Sequence, residues 1–435
     1  MNRRHFLGAL GAAAPLSTAW PRLHELGRTA GTPEDIARDE DYWEAFQSAF
    51  AVDRAIINLN NGGVCPAPRT VMDALQRRTA FANEAPAYKM WELQEPRRES
   101  VRAHLAGHFG VDPEEMAIVR NASEGLQTCQ FGFDLEPGDE VLCTDQDYGR
   151  MLTTFRQRER REGIRLVMMP IPAPFDPAGV VRGYEQRITP RTRMILVSHM
   201  INLTGQVLPV AEICALGRKH GIPVIVDGAH SFGHFPFERD DLGCEFFATS
   251  LHKWLFAPIG TGFLSVSRER IGDVWPLMAA GEGQHEDIRK FESIGTHPVP
   301  ILLSIAEALH FLEAMGPERK AARLVYLRDR WIDRLKEHPR VRLNTDLAPG
   351  RAFGIANIGI DGVETEALKE YLWDQHGIFT VSITHHGVDE DGRDRGPDSP
   401  QYSGLRVSPG PYATLAEIDR FGDILERVLR EGLPR

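Results

Sequence analysis

The sequence lacks the features that mark membrane-spanning and nucleic-acid-binding proteins. No internal apolar run approaches the ~18 residues that a membrane-spanning helix needs. The 435 residues carry a net charge of −11, and no block of lysines and arginines interrupts it. This balance argues against nucleic acid and anionic membrane surfaces as partners. The hydrophobic content of 42% is ordinary for a globular protein.

Cysteine is scarce as well. The five cysteines are odd in number, stand far apart and lack the spacing of metal ligands: Cys65, Cys129, Cys143, Cys214 and Cys244. They predict neither a disulfide framework nor a metal site. The chain after Cys244 contains no cysteine that could act as a nucleophile.

The N-terminus resembles a secretory signal. The segment "MNRRHFLGALGAAAPLSTAW" has a twin arginine, a short run of Ala, Gly and Leu, and a small-x-small cleavage pattern at Ser17–Ala19. Twin-arginine export carries folded proteins, which suits an enzyme that binds a cofactor before export. We therefore treat residues 1–30 as a signal and expect a periplasmic protein, with a cytoplasmic one as the alternative.

From residue 115 onward, short β-branched runs alternate with longer amphipathic ones. The predicted strands are "EVLCTD" (140–145), "IRLVMMPI" (164–171), "RMILVSHM" (193–200), "IPVIVDGAH" (222–230), "FFATSL" (246–251) and "TGFLSVS" (261–267). Helical segments between them end on glycine, at Gly163 and Gly221. This alternation predicts an α/β protein with a mostly parallel sheet flanked by helices. The length suggests two domains, a large one over 31–310 with its N-terminal segment and a smaller C-terminal α/β domain over 311–435.

Three C-terminal elements are predicted inside the smaller domain. They are a long charged helix over 317–338, a turn-rich loop over 397–404 and a final helix that begins at Leu415.

Lys253 and Asp227 suggest the chemistry. Lys253 stands in "TSLHKWLFAPIGTGF", where apolar runs make an ammonium group costly unless it is paired, neutral or used covalently. Asp227 ends the preceding predicted strand, and ligands of such sheets bind at the carboxyl ends of strands. A lysine and an aspartate on either side of a ring favour pyridoxal 5′-phosphate, which needs a Schiff-base lysine and an acid at its pyridine nitrogen. The plainer alternatives are a loop lysine that reaches water and a helix-capping aspartate.

Three further segments fit the same cofactor. "RNASEGLQ" (120–127) is a polar turn that opens a helix, so its amides favour an anion. Ser250 and His252 can reach the same phosphate. Tyr148 follows a predicted strand, where its ring can stack on the pyridine, although taken alone each of these is also typical of a helix cap or a rim aromatic.

The ordered set of segments resembles the class V aminotransferase family of fold-type I pyridoxal-phosphate enzymes, and within it the isopenicillin N epimerase-like branch. The matched segments are "LNNGGVCPAP", "RNASEG", "TDQDYG", "SHMINLTGQVLPV", "VDGAHSFG", "SLHKWLFAPIGTGF", "IGTHPVP" and "LRVSPGPYAT". They span residues 59–414. The resemblance implies a fold-type I architecture.

The resemblance also implies a role for each matched residue. Lys253 would bond the cofactor and Asp227 would pair with its pyridine nitrogen. The other implied cofactor contacts are Ala122, Ser123, Ser250 and His252 at the phosphate, Tyr148 at the ring, Asn202 at the phenolic oxygen, and Thr296 across a homodimer interface with a shared active site. His230 is a further implied cofactor contact. Arg406 would bind the α-carboxylate of an amino-acid substrate in a bidentate pair, under a loop that contains Asn61 and Gly62. One departure is "GTHPVP", where His297 and Pro298 follow the Gly–Thr pair and family members often have an acidic residue.

Several reactions remain open at the α-carbon. Persulfide-forming desulfuration is disfavoured by the missing cysteine. Epimerisation needs proton transfer on two faces, for which Lys253 and either Tyr402 or His385 are candidates. β-Elimination at a C–S bond needs only Lys253 and a leaving group, and transamination needs room to exchange two acids. We favour an epimerase or racemase, and a cofactor-binding protein without activity is the least consistent with Lys253, Asp227 and Arg406 together.

The signal-like start predicts export by the twin-arginine route. Replacement of Arg3 and Arg4 by lysine should leave the precursor in the cytoplasm, because that route recognises the arginine pair. Cell fractionation measures where the protein accumulates, and mass spectrometry of its N-terminal peptide shows whether the signal has been removed. Unchanged periplasmic accumulation of the double variant would contradict the prediction.

Overall fold

A computed structural model describes residues 29–389, 391–396, 398 and 400–434. The predicted signal lies almost wholly outside the described residues. The chain forms a seven-stranded central sheet, a four-stranded C-terminal sheet and helices on their faces. The predicted α/β architecture is confirmed.

The central sheet contains the six strands that the apolar runs predicted and one more, β2, which they did not. They are β2 (Met116–Val119), β3 (Glu140–Thr144), β4 (Arg165–Met169), β5 (Thr192–Ser198), β6 (Val224–Asp227), β7 (Phe246–Ser250) and β8 (Gly262–Val266), after a short β1 (Ile57–Asn58) that lies elsewhere. The spatial order is β2-β8-β7-β6-β5-β3-β4, and β8 runs antiparallel to both of its neighbours while the other pairs are parallel. The carboxyl ends of β2, β3, β5, β6 and β7 therefore meet at one edge.

Fourteen α-helices lie in the described part of the chain. Their bounds are α1 (Pro33–Ala37), α2 (Glu40–Ser48), α3 (Arg69–Asn83), α4 (Arg98–Phe109), α5 (Ala122–Gly132), α6 (Gly149–Glu162), α7 (Pro177–Arg187), α8 (Val210–His220), α9 (Arg239–Leu242), α10 (Val299–Leu303), α11 (Ile305–Met315), α12 (Pro317–Ile332), α13 (Thr365–His376) and α14 (Leu415–Glu431). Gly163 and Gly221 end α6 and α8 with φ of 75° and 67°, as the sequence predicted. Within the described ranges no single helix has the length and apolarity to cross a membrane. One pair, 299–315 with 317–332, meets those criteria jointly but is bent by 74°.

The inner strands β6 and β7 of the central sheet are buried on both faces, whereas the edge strand β4 is partly exposed. In β6, Val224 and Val226 pack in one apolar cluster and Ile225 packs in another on the opposite face. This explains the continuous apolar run, because a parallel sheet covered by helices has no solvent face. The two clusters hold the strand ends, and so the site, in fixed positions.

The C-terminal sheet is antiparallel. Its strands are β9 (Val341–Leu343), β10 (Ala356–Ile360), β12 (Val381–His385) and β13 (Tyr402–Val407), in the order β12-β13-β10-β9. The remaining strand, β11 (Ile378–Phe379), pairs in parallel with β1. Ile57 and Leu59 pack in the same apolar cluster as this sheet, so the N-terminal segment contributes to its core.

Two boundaries predicted from the sequence are wrong. The charged helix ends at Ile332 and not at residue 338. Beyond it the chain forms turns with i to i+3 hydrogen bonds, in which the Leu335 amide donates to the Ile332 carbonyl and the His338 amide to the Leu335 carbonyl. The predicted loop over 397–404 ends earlier, since Tyr402 to Gly404 belong to β13. A Cβ at Gly404 would overlap the side chain of Asn357 on the neighbouring strand β10. Glycine is therefore required inside β13, and its presence made the segment resemble a turn.

Gly125 lets α5 pack directly on the sheet. A Cβ at this position would lie 2.8 Å from Ala248 Cβ and 3.3 Å from Leu264 Cβ, so an added methyl group must displace the helix or the strands. We expect Gly125→Ala to lower the free energy of unfolding by about 1–3 kcal/mol. Gly107, inside α4, has nothing within 4 Å of its Cβ position. Gly107→Ala is therefore the control and should stabilise by about 0.5–1 kcal/mol. Denaturant unfolding measures both, and equal effects of the two substitutions would contradict this packing.

Candidate active site

The carboxyl edge of the central sheet forms a polar cavity of about 340 Å³. Every residue predicted for the site lines it except Asn61 and Thr296. The lining residues among those predicted are Gly62, Ala122, Ser123, Tyr148, Asn202, Asp227, His230, Ser250, His252, Lys253 and Arg406. The structure thus brings together groups from five strand ends and from β13.

Lys253 lies on the loop after β7, and its amine contacts a histidine. The Nζ atom lies 2.9 Å from Nε2 of His230. Burial lowers the pKa of Lys253 to about 8, although the Asp227 carboxylate opposes this, and the Arg406 cation lowers it further. Burial, together with the charges of Lys253 and Arg406, holds the pKa of His230 well below its usual range. A neutral imidazole therefore faces an amine that is partly neutral near pH 7, which is the form that acts as a nucleophile or base.

Asp227 ends β6 and faces the same cavity. Its side chain is 5% exposed, and its Oδ1 accepts a hydrogen bond from the Ala229 amide at 2.9 Å. Burial raises the pKa of this carboxyl, against the Ala229 hydrogen bond and Lys253. A cationic ring nitrogen beside it would return it to the charged form. No helix begins at Asp227, which removes the helix-capping interpretation.

The N-terminus of α5 forms the anion-binding end of the cavity. Asn121 caps the helix by accepting from the Glu124 amide, and the Ala122 amide donates to Ser250 Oγ at 2.9 Å. The exposed amides and the dipole of the first turn favour a negative charge there. His252 stands on the same side, with its Nδ1 3.2 Å from the Thr261 carbonyl oxygen. This arrangement suits a phosphate.

Arg406 enters the cavity from β13. It donates to the Asn202 carbonyl at 2.9 Å and to Asn60 Oδ1 at 2.6 Å. Its Nε atom is buried without a partner, and burial lowers the pKa of the guanidinium to about 10. A cation in this condition gains from a carboxylate ligand, which can pair with it through two hydrogen bonds.

Two predicted residues lie elsewhere in this chain. The side-chain amide of Asn61 donates to the carbonyls of Asn58 and Ser408, and its oxygen accepts from the Tyr412 hydroxyl. It fixes the N-terminal loop and does not face the cavity. Thr296 lines a separate cavity that shares Asn121 with the first, so in one protomer it does not meet Lys253.

Sequence reasoning missed the neighbour of Asn61. Asn60 supplies the oxygen that contacts Arg406. It is bridged to Ser408, and a turn begins at Asn61, so the change in backbone between them sets which asparagine faces Arg406, and nothing in the sequence distinguishes the two. The two candidates for a second base, Tyr402 and His385, contact Gln146 and Asp145 and are not among the residues that line the cavity.

The residues present fit pyridoxal 5′-phosphate on structural grounds. A partly neutral lysine, a buried carboxylate and a helix N-terminus with Ser250 occupy one cavity. Nδ1 of His230 and Nε of Arg406 are buried without hydrogen-bond partners. Buried polar atoms are usually paired, so these two atoms point to ligands that complete the site.

Comparisons with known proteins agree with this geometry. The family model described as aminotransferase class-V matches residues 57–421. The isopenicillin N epimerase of Streptomyces clavuligerus is 29% identical, over 89% of this chain and 99% of the relative. A probable cysteine desulfurase of Pseudomonas aeruginosa is 28% identical, over 88% of this chain and 96% of the relative.

Solved structures share the fold. The cystine C–S lyase C-DES, in complex with its product cysteine persulfide, is 24% identical with a TM-score of 0.72, covering 86% of this chain and 97% of the lyase chain. A second C-DES structure has glycine covalently linked to its pyridoxal-phosphate cofactor. The predicted fold-type I architecture and its cofactor are confirmed.

The lowered pKa of Lys253 predicts a pH dependence in protein freed of cofactor. The rate of cofactor reattachment should rise with pH and level off above about 8, because only the neutral amine reacts. The usual pKa of 10.5 applies in the unfolded chain, which therefore binds more protons between pH 8 and 10.5. The free energy of unfolding should accordingly rise with pH across that window.

Stopped-flow absorbance and denaturant unfolding measure the two effects. Asp227→Asn should move the reattachment midpoint to lower pH, because it removes the carboxylate that stabilises the ammonium. In Lys253→Met the rise in stability between pH 8 and 10.5 should be smaller. A midpoint near 10.5 in the wild type would show that the amine is not desolvated.

Proposed function

The chain belongs to the class-V aminotransferase family, whose relatives use pyridoxal phosphate, and on that basis we propose that it is an amino-acid epimerase or racemase. The observation that carries the proposal is the single cavity where Lys253, Asp227 and Arg406 meet. When bound, the cofactor withdraws electrons from the substrate and makes its α-carbon acidic.

Each residue has a separate task in this proposal. Arg406 binds the α-carboxylate through its guanidinium, whose Nε has no partner, and so fixes the α-carbon in the cavity. Lys253 moves the α-proton, since burial leaves its amine partly neutral near pH 7. Because Tyr402 and His385 are not among the residues that line the cavity, the same amine serves both faces of the α-carbon in this proposal. Asp227 holds a positive charge on the ring nitrogen, and the first turn of α5 with Ser250 binds the phosphate.

The cysteines argue against persulfide-forming desulfuration. All five are buried. Cys65 is the one tied to the site, because its amide donates to the His252 carbonyl at 3.1 Å. Burial raises the pKa of its thiol to about 12, so it carries no thiolate nucleophile at neutral pH.

The likeness to the epimerase of Streptomyces clavuligerus, which extends over 99% of that relative, favours epimerisation. β-Elimination, after the C–S lyase, and transamination are the other outcomes of the test below. We also propose a homodimer in which Thr296 reaches the partner's phosphate site, because Thr296 lies outside the Lys253 cavity and lines one that borders α5 at Asn121.

Heavy water separates the candidate reactions. An epimerase incubated with a single amino-acid enantiomer must place solvent deuterium in the recovered amino acid, because the proton that returns comes through solvent-exchanging groups. It must release neither ketoacid nor ammonia. Mass spectrometry, chiral chromatography and ketoacid assays on the same samples measure all three. Stoichiometric pyruvate from a β-substituted cysteine, without deuterium in the recovered substrate, would instead identify a lyase.

Arg406→Lys is the matched variant for this experiment. Lysine keeps the charge but loses the bidentate geometry, so we expect KM to rise about tenfold or more with a smaller change in kcat. Lys253→Ala should abolish exchange altogether. Exchange that persists in Lys253→Ala would place the chemistry on another residue.

A further inference from the structure

A second lysine is buried behind the site. Lys320, on α12, is fully buried. Its Nζ atom donates to the Gly233 carbonyl at 2.6 Å and to the Trp254 carbonyl, and it lies 3.9 Å from the centre of the Phe256 ring. Among the described residues no carboxylate forms an ion pair with it, and burial lowers its pKa to about 7.

An amine in this position is costly for packing alone. A buried ammonium without a counter-ion loses its hydration, and an apolar side chain of similar size would fill the space without that penalty. The two carbonyls and the ring face compensate part of the loss. What distinguishes Lys320 is therefore the backbone that it binds.

That backbone belongs to the two loops that carry the reactive pair. Trp254 directly follows Lys253, and Gly233 lies three residues after His230. One ammonium group thus links the loop of Lys253 to the turn of His230, whose side chains meet at 2.9 Å on the other side.

A histidine makes a parallel link between the same loops. Nε2 of His234 accepts from the Gly354 amide at 2.9 Å, so its Nδ1 carries the proton and donates to the His230 carbonyl, also at 2.9 Å. Its ring lies on the indole of Trp254 with centroids 3.8 Å apart.

The loop of Lys253 also contains a backbone conformation that needs support. Phe256 has φ of 65°, a left-handed conformation that a bulky residue adopts only at a cost. Its ring is the one that faces the Lys320 amine, so the same side chain holds both the carbonyl of Trp254 and the strained residue two positions later.

We propose that Lys320 is a positioning residue: by binding the Trp254 and Gly233 carbonyls it holds the Lys253 amine against His230 in the geometry that proton transfer requires. This inference rests on the proposed role of Lys253. Lys320 acts through the two loops, because the groups that set the charge state of Lys253 are Asp227, Arg406 and Cys65.

The chain supplies a matched control in Lys290. It is 3% exposed, and its Nζ donates to the Ile271 and His285 carbonyls at 2.6 and 2.7 Å. It also lies over an aromatic ring, 5.1 Å from the centroid of Phe291. Lys290 therefore makes the same kinds of contact, although Glu286 and Asp273 act on it, whereas no carboxylate of the described residues acts on Lys320. Its carbonyls belong to segments that do not line the Lys253 cavity.

The experiment compares Lys320→Met, Lys320→Gln and Lys290→Met in the full chain. Glutamine keeps neutral N–H donors for the carbonyls, so it separates hydrogen bonding from charge. Three properties are measured: the pH midpoint of Lys253 acetylation in cofactor-free protein by peptide mass spectrometry, hydrogen exchange of residues 251–257, and kcat with KM in the loaded enzyme. Thermal unfolding is recorded for each variant.

We expect Lys320→Met to raise the acetylation midpoint by about half a pH unit or more, because a loosened loop exposes the amine to water. Exchange of residues 251–257 should be faster, and kcat should fall about tenfold with KM changed less than threefold. Lys320→Gln should lie between Lys320→Met and the wild type. Lys290→Met should lower the melting temperature without moving the other properties.

The result that overturns the proposal is a Lys320→Met variant that matches Lys290→Met in acetylation and exchange. If Lys320→Met fails to fold, Lys320→Leu decides in the same way, since it also removes both hydrogen bonds to the Gly233 and Trp254 carbonyls and wild-type values in that variant overturn the proposal. The acetylation and exchange measurements use no substrate. A wrong reaction assignment would therefore appear in the turnover of the wild type and leave this test intact.

Discussion

The desolvation of one amine is the constraint on which the site depends. Lys253 is partly neutral near pH 7 because burial outweighs the attraction of Asp227, and that balance holds only while the surrounding backbone stays in place. The central sheet holds this backbone in place, because its strands β6 and β7 are buried on both faces and end beside the cavity. A sheet with one solvent face would leave those ends less fixed.

The second requirement is that two parts of the chain meet. Arg406 belongs to the C-terminal sheet, where it is paired with Asn357 and Val381, while the lysine and aspartate belong to the central sheet. The N-terminal segment joins them, because Asn60 contacts Arg406 and β1 pairs with β11. A substrate carboxylate bound at Arg406 therefore lies where three separate segments of the sequence converge.

Much of the fold and of the site could be predicted from the sequence, and the features that could not be predicted have physical reasons. Six of the seven strands of the central sheet followed from apolar runs, and the position of Asp227 followed from the rule that ligands bind at strand carboxyl ends. The short β2 (Met116–Val119) was not predicted. The contact between Lys253 and His230 could not be predicted, because it depends on how two loops fold back over 23 residues. Asn61 is the residue that the sequence predicts for the site, whereas its neighbour Asn60 contacts Arg406. The start of β13 is predicted as a loop, because Gly404 is required by packing against Asn357, which the sequence does not show. Lys320 has no local signal, since its partners lie 66 and 87 residues away.

The charge of the cavity is opposite to that of the whole chain. The protein has a net charge of −11, yet among the described residues that line the cavity Asp227 is the one carboxylate, against Lys253 and Arg406. The amides at the start of α5 add further positive potential. A phosphate carries up to two negative charges and an α-carboxylate carries one, so both ligands would offset the excess of positive charge in the cavity. The same field lowers the pKa of Lys253, because Arg406 disfavours a second cation nearby. In the proposed function, a carboxylate bound at Arg406 would offset that repulsion and make Lys253 more basic, so the substrate itself would prepare the amine to accept the α-proton.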